Sequence, residues 1–143
     1  MLNDQESHFN GDWELGQKSA PKVELFEISD DIQISSAWID DAYKDVKLSR
    51  TMAMVMLDSL EHPLIIDLFR VSSSTAHQYD LPLYYQGQFI SHTLDFNANS
   101  KALSPLGDNN GYQYLWDRGR GSLESSLEQV TWLNGDRFYT YST

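Results

Sequence analysis

Short apolar runs bounded by Gly, Pro, Asn, Asp and Ser recur along the chain at intervals of about ten residues. Helical periodicity, with apolar residues three and four positions apart, is weak almost everywhere. Regularly spaced short strands with turn residues between them are typical of a sandwich or a barrel. The 143 residues are enough to build one core. We therefore predict an all-β fold, an antiparallel β-sandwich of about nine strands, with residues 1–143 forming a single domain.

Three hairpins are predicted from the residues that separate neighbouring runs. The first pair is separated by the short polar segment 29–31, the second by Gly87, and the third by Asn134-Gly135. Asp and Ser favour turns, Gly supplies a positive φ, and Asn-Gly is the preferred dipeptide of a type I′ turn. The pairs are residues 23–28 with 32–38, 78–85 with 88–94, and 130–133 with 136–141.

Residues 51–57 form an almost entirely apolar run, Thr-Met-Ala-Met-Val-Met-Leu. A strand without a polar face is covered on both sides, so we predict a central strand covered by a second sheet or by another domain. Residues 64–71 should pair with it, because Pro63 lacks a backbone donor and suits the start of a strand. Residues 95–111 are rich in turn formers and predict a functional or mobile loop.

The charge and composition of the chain exclude several classes of function. The 21 acidic and 10 basic side chains give a net charge of −11, which repels nucleic acids and acidic membrane surfaces. No run approaches the roughly 18 apolar residues of a membrane span, and the first residues do not resemble a signal peptide. Without cysteine, disulfides and thiolate metal sites are excluded. We expect a soluble chain whose two ends continue into something larger.

Four segments, in this order and spacing, resemble the β-rich C-terminal region of heparinase II/III-type polysaccharide lyases, and most closely the oligoalginate lyase branch. Together the segments indicate a resemblance that spans nearly the whole chain. They are Asn-Asp-Gln-Glu-Ser at 3–7, Ala-Tyr-Lys-Asp-Val-Lys-Leu-Ser-Arg-Thr at 42–51, Ile-Asp-Leu-Phe-Arg-Val at 66–71, and His-Gln-Tyr-Asp-Leu-Pro-Leu-Tyr-Tyr at 77–85.

The resemblance implies a two-part parent lyase, in which an α/α toroid precedes stacked antiparallel sheets and the active site lies between them. In the family, a metal-ligand histidine and the acid or base tyrosine precede the segment that resembles 3–7. β-Elimination from a uronic acid requires a base, an acid and a neutralised carboxylate in one site. The resemblance therefore implies a chain that is inactive alone and has no cofactor of its own, although the parent can hold a metal ion.

The same resemblance implies the partners and the location of the chain. The expected partners are the toroid domain of the parent and a uronic-acid oligosaccharide, and the expected location is bacterial, either periplasmic or secreted. An alternative is a free-standing carbohydrate-binding or structural sandwich module that presents its aromatic and arginine side chains to a sugar. Binding of uronate oligosaccharides by a stable monomer would favour that alternative.

The basic cluster at residues 117–121 is the best candidate for contact with a uronate. Arg118 and Arg120 are suited to bidentate binding of carboxylates, and the neighbouring Trp116 and Tyr112 can stack on sugar rings. The alternative for this cluster is a Gly-rich turn in which the arginines pair with nearby acidic groups.

His77 and Tyr84 are weaker candidates for substrate binding, because tyrosines in strands are usually packing residues with a hydrogen-bonded tip. Both are residue types that eliminating lyases use. Period-two alternation places them on opposite faces of the predicted strand 78–85, so we do not expect them to act together.

Asp67 is a carboxylate in an otherwise apolar strand, which predicts a structural ion pair with Arg50 or Arg70. A catalytic or metal-binding role for Asp67 is the alternative. A metal site is not predicted, because the spacings of the available ligands match no local ligand motif. Those ligands are His62, Asp67, His77 and His92.

Overall fold

The fold is all-β, as predicted, in a computed structural model that describes residues 2–4, 6–123 and 127–143. The described residues form eleven strands, and every pairing between these strands is antiparallel. The chain divides into two compact units, which we call unit 1 (Met1–Asp80) and unit 2 (Leu81–Thr143). Among the described residues, no helix has the length and apolar character needed to cross a bilayer.

Unit 1 is built around a four-stranded sheet. Its elements are β1 (Leu2–Asn3), a 3-10 segment (His8–Gly11), α1 (Trp13–Lys18), β2 (Lys22–Ile28), β3 (Ile32–Tyr43), β4 (Val46–Val55), β5 (Leu64–Ser73) and β6 (Tyr79–Asp80). The sheet order is β2-β3-β4-β5, and β1 pairs with β6. The hairpin of β2 with β3 and the pairing of β4 with β5 confirm two of the predictions.

The core of unit 1 lies at one end of this sheet. Ala42, Tyr43, Val46 and Leu48 are buried around the β3–β4 turn, and Val46 is only 1% exposed. Partly buried side chains from β3, β5 and the 3-10 segment pack against this cluster, and they are Phe9, Ile39, Phe69 and Val71. Asp45 closes the turn with φ 58°, a left-handed conformation that Asp tolerates better than most residues.

The other end of the sheet does not have the cover that the apolar run 51–57 predicts. The strand ends at Val55, so Met56 and Leu57 lie beyond it. Met52, in the middle of β4, is 41% exposed, and the residues that follow it in the strand, Ala53, Met54 and Val55, are only partly buried. The run is central in the sheet, as predicted, but the prediction of cover on both faces is not met within unit 1.

Unit 2 contains two smaller sheets. Its elements are β7 (Gln88–His92), β8 (Asp95–Ala98), a 3-10 helix (Tyr112–Tyr114), β9 (Gly119–Ser122), β10 (Gln129–Asn134) and β11 (Arg137–Ser142). One sheet has the order β11-β10-β7 and the other is the ribbon of β8 and β9. The sandwich arrangement of the sheets and the single domain remain predictions.

The predicted hairpin of 78–85 with 88–94 is wrong. Residues 81–87 form no regular strand, β6 pairs with β1, and β7 pairs with β10. Gly87 has φ +110°, and a Cβ atom there would lie 2.1 Å from the carbonyl oxygen of Leu133. This glycine therefore permits close passage of the chain beside β10, and it does not form a reversal between two paired strands.

Two other local predictions need correction. The hairpin of β10 with β11 is present, but its turn residues are Gly135 and Asp136, because Asn134 still pairs with Arg137. Only Gly135 has a positive φ there, which excludes a type I′ turn on Asn134-Gly135. The predicted loop 95–111 begins with β8, and the last three residues of the Gly-rich cluster belong to β9, so both segments are partly strand.

Candidate functional site

Asp67 pairs with Arg50, one of its two predicted partners. Arg50 donates from Nε to Oδ1 at 2.8 Å and from Nη2 to Oδ2 at 2.5 Å, which is a bidentate arrangement. Alternation along β5 places Arg70 on the opposite face from Asp67. The hydrogen bond from Arg50 lowers the pKa of Asp67. Asp67 is partly exposed, with 28% of its side chain accessible, so this ion pair does not bury a charge.

His77 lies in a chain of hydrogen bonds within unit 1. Its Nδ1 is 2.7 Å from Oδ2 of Asp4, and its Nε2 is 2.7 Å from Oγ1 of Thr75. Asp4 also accepts from the backbone N–H of Gln78, and this hydrogen bond is the largest cause of the lowered pKa of Asp4. Both ring nitrogens of His77 are thus engaged, and the chain of bonds ties residue 4 to the segment before β6.

The side chains predicted to contact a sugar have different surroundings. Arg120 pairs with Asp117, with 2.8 Å between Nε and Oδ2, so this arginine has the intramolecular partner that the alternative interpretation predicts. Tyr112 is buried at 8% exposure, whereas Trp116 is exposed and bridges to Pro105. Tyr84 is exposed in the irregular segment 81–87. The structure does not form one continuous sugar-binding face from these side chains.

Arg118 differs from Arg120 because its guanidinium forms no ion pair with any described residue. It lines a cavity of about 700 Å³ in unit 2, together with residues of β7, β8 and β10. The other polar groups in the lining include His92 and Asn99, and much of the rest is aromatic. His92 donates from Nδ1 to the carbonyl oxygen of Leu94 at 3.2 Å. This hydrogen bond does not involve Nε2, the other ring nitrogen.

Sequence reasoning selected Arg118 but missed the residues that surround it. The cavity also contains Tyr85, Phe89 and Phe96, which lie in segments that the sequence does not mark as neighbours. Alternation within β7 and β8 offers no signal for this arrangement, because it depends on the pairing of β7 with β10 and of β8 with β9.

Three of the four potential metal ligands have other partners. Asp67 is bound to Arg50, His77 to Asp4, and His92 to a backbone carbonyl. Over the described ranges, no three His, Asp or Glu side chains form a group that could hold a metal ion.

Comparison with known proteins finds two lyases that are similar to this chain in sequence. No family model matches the chain. An exo-oligoalginate lyase from Saccharophagus degradans is 39% identical over 142 residues, and an alginate lyase from Stenotrophomonas maltophilia is 38% identical over 141 residues. Each match covers 99% of this chain but only 19% of the relative. The chain is therefore similar to one segment of these lyases, and it spans about a fifth of their length.

Proposed function

We propose that this chain is the non-catalytic β-rich portion of a heparinase II/III-like polysaccharide lyase that cleaves alginate-derived oligosaccharides by β-elimination. The observation that carries the proposal is the 39% identity with an exo-oligoalginate lyase over 99% of the chain. The matched segment is 19% of that relative, which leaves most of such an enzyme to supply the toroid and the groups that react.

The contacts of the candidate acid–base residues support a non-catalytic role. Elimination requires an acid and a base that can reach the same sugar. His77 is hydrogen-bonded at both ring nitrogens, and Asp67 is held by two hydrogen bonds from Arg50. Each of these side chains has a structural partner, so each is suited to holding strands and termini in place.

The exposed apolar half of the unit 1 sheet supports a role in packing against the rest of the enzyme. A groove of about 310 Å³ on this sheet is lined by residues of all four strands, among them Phe26, Met52 and Ile65. All three are at least 40% exposed. Contiguous exposed apolar surface of this kind marks an interaction site. We assign the toroid of the parent lyase as its partner.

The elimination reaction gives a direct assay for the non-catalytic role. β-Elimination leaves a conjugated double bond that absorbs in the ultraviolet, so product is followed by absorbance after the chain is mixed with oligoalginate. The positive control is the Saccharophagus degradans enzyme under the same conditions. We expect no absorbance increase from this chain alone. Sustained product formation by the purified chain would refute its non-catalytic assignment.

A further inference from the structure

We infer that the Arg118 cavity of unit 2 binds the carboxylate of a uronic-acid residue in an oligosaccharide. This inference rests on the proposed function for the choice of sugar, but the carboxylate site itself is argued from the geometry of unit 2. The site differs from the surface of Trp116 and Arg120, because the residues that complete it come from β7, β8 and the segment before β7.

The dimensions and lining of the cavity suit a sugar. A volume of about 700 Å³ lies within the range of small-molecule sites, which are mostly apolar with a few polar groups that fix orientation. The apolar part of the lining includes Tyr85, Phe89 and Phe96. The electron-rich faces of such rings attract the C–H bonds of a pyranose, and Tyr and Trp combine an apolar body with a polar tip.

An aromatic row extends from this cavity along the three-stranded sheet. The rings of Tyr85 and Trp132 have their centroids 5.6 Å apart, and those of Trp132 and Tyr139 are stacked at 5.7 Å. Trp132 and Tyr139 are cross-strand partners on β10 and β11, so their separation is set by the sheet. The stacked rings of Trp132 and Tyr139 cover part of each other's faces, so the rings available to a sugar are those that line the cavity, such as Tyr85.

Arg118 supplies the charge that a uronate requires. Its planar guanidinium can donate two parallel hydrogen bonds to a carboxylate, and no described acidic side chain already occupies it. The backbone of Arg118 is held in place, because its carbonyl oxygen accepts from the N–H of Asn99 at 2.8 Å. The amide of Asn99 also donates to the carbonyl of Ala102 at 2.7 Å, which fixes the loop beside the cavity.

The charge of the chain is distributed in a way that permits anion binding in unit 2. Residues 1–80 contain 15 acidic and 6 basic side chains, a net charge of −9, whereas residues 81–143 contain 6 acidic and 4 basic side chains, a net charge of −2. The charge that repels polyanions therefore belongs mainly to unit 1. A local cation in the nearly balanced unit 2 is able to select an acidic sugar.

The test is calorimetric titration of the full 143-residue chain with a mannuronate trisaccharide. We expect binding that weakens as salt is added. The affinity of R118Q should be at least about tenfold lower, because a hydrogen bond between charged groups contributes about that factor to binding. R137Q is the matched control, because Arg137 is an exposed arginine of unit 2 on β11, outside the cavity lining. It should retain wild-type affinity within about twofold, and circular dichroism should show that both variants are folded.

The remaining measurements distinguish failure of the Arg118 site from failure of the proposed function. No binding of any uronate, or equal losses in R118Q and R137Q, would overturn the inference. Loss of binding in W116A with none in R118Q would place the ligand on the Trp116 surface and would also overturn it. A neutral mannose trisaccharide should bind at least about tenfold more weakly than the mannuronate. Binding of a galacturonate but not of the mannuronate would support a carboxylate site and contradict the alginate assignment of the proposed function.

Discussion

Gly87 shows how one residue permits the pairing of two strands. A Cβ atom at this position would lie 2.1 Å from the Leu133 carbonyl oxygen, and the backbone has φ +110°. We expect G87A to lower the free energy of unfolding by at least about 3 kcal/mol, because it adds backbone strain and a clash with β10. Thermal or urea unfolding of the variant measures this loss.

Gly111 provides the control for that prediction. It also has a positive φ, +94°, but nothing lies within 4 Å of the Cβ position. G111A should therefore cost only the strain, about 1 kcal/mol. Equal losses in G87A and G111A would show that residue 87 does not lie against the Leu133 carbonyl oxygen.

The Arg50–Asp67 pair allows a second prediction at the level of single residues. A double-mutant cycle with R50Q and D67N should give a coupling of about 0.5–1 kcal/mol that decreases with salt, because the pair is bidentate but partly exposed. Lys22 and Asp40, 3.9 Å apart and both more than half exposed, form the control pair. Their cycle should give a coupling close to zero, and a larger value for the control pair than for Arg50–Asp67 would contradict the assignment.

Among the elements, the four-stranded sheet of unit 1 has an apolar groove whose exposure can be tested. The groove beside β4 should bind a hydrophobic dye in the folded chain, since apolar side chains line it and are exposed. We expect dye fluorescence to fall in a variant that carries F26S and I65S. L68S is the control, because Leu68 is exposed on the opposite face of the same sheet and outside the groove, so L68S should lower the fluorescence less than the groove variant does. Unchanged fluorescence in the groove variant would mean that the groove is closed in solution.

The elements also show which sequence signals are reliable. Strong local signals predicted the pairing of β4 with β5 and the final hairpin, because alternation and turn residues act over a few positions. The glycines of β9 suggest a turn in the sequence, but they lie in a paired strand. A Cβ at Gly119 would lie 2.2 Å from Cζ of Phe96, and one at Gly121 would lie 2.6 Å from the carbonyl oxygen of Asp95. These glycines give β8 room to pair, a requirement that depends on a partner distant in sequence.

In the candidate site, too, local sequence signals were predictive and features that depend on strand pairing were not. Arg118 was identifiable because basic residues are rare in this acidic chain. Its neighbours Phe89 and Phe96 were not, because the antiparallel pairing of β7 with β10 brings the first into the cavity and the ribbon of β8 with β9 brings the second. Residue type therefore indicates the chemistry of the site, whereas strand pairing determines which residues complete it.

For the whole molecule, the groups with lowered pKa values predict sensitivity to acid. A hydrogen bond from Gln78 lowers the pKa of Asp4, one from Arg50 lowers that of Asp67, and burial lowers that of His8. A group whose pKa is lower in the folded state stabilises the fold above its unfolded pKa and loses this contribution as pH falls. Unit 1 should lose stability below pH 6.5 through His8 and again below pH 3.8 through the two carboxyls.

Tryptophan fluorescence can follow this loss in unit 1 alone. A variant with W116F and W132F retains Trp13 and Trp38, which both lie in unit 1. Its melting temperature should fall as pH is lowered from about 7 to 5, and H8F should reduce that fall, because the titrating imidazole is removed. A melting temperature that rises or stays constant over this range would contradict the role of His8.

The central claim is that this chain performs the work of the matched segment in an alginate lyase. The most direct measurement replaces that segment of the Saccharophagus degradans enzyme, 142 residues in the alignment, with this chain and assays oligoalginate cleavage by ultraviolet absorbance. We predict product at a rate within about tenfold of the natural enzyme, a loss of roughly 1.4 kcal/mol or less in transition-state stabilisation. Deletion of the segment should abolish activity. A folded chimera with no activity above that of the deletion variant would contradict the claim.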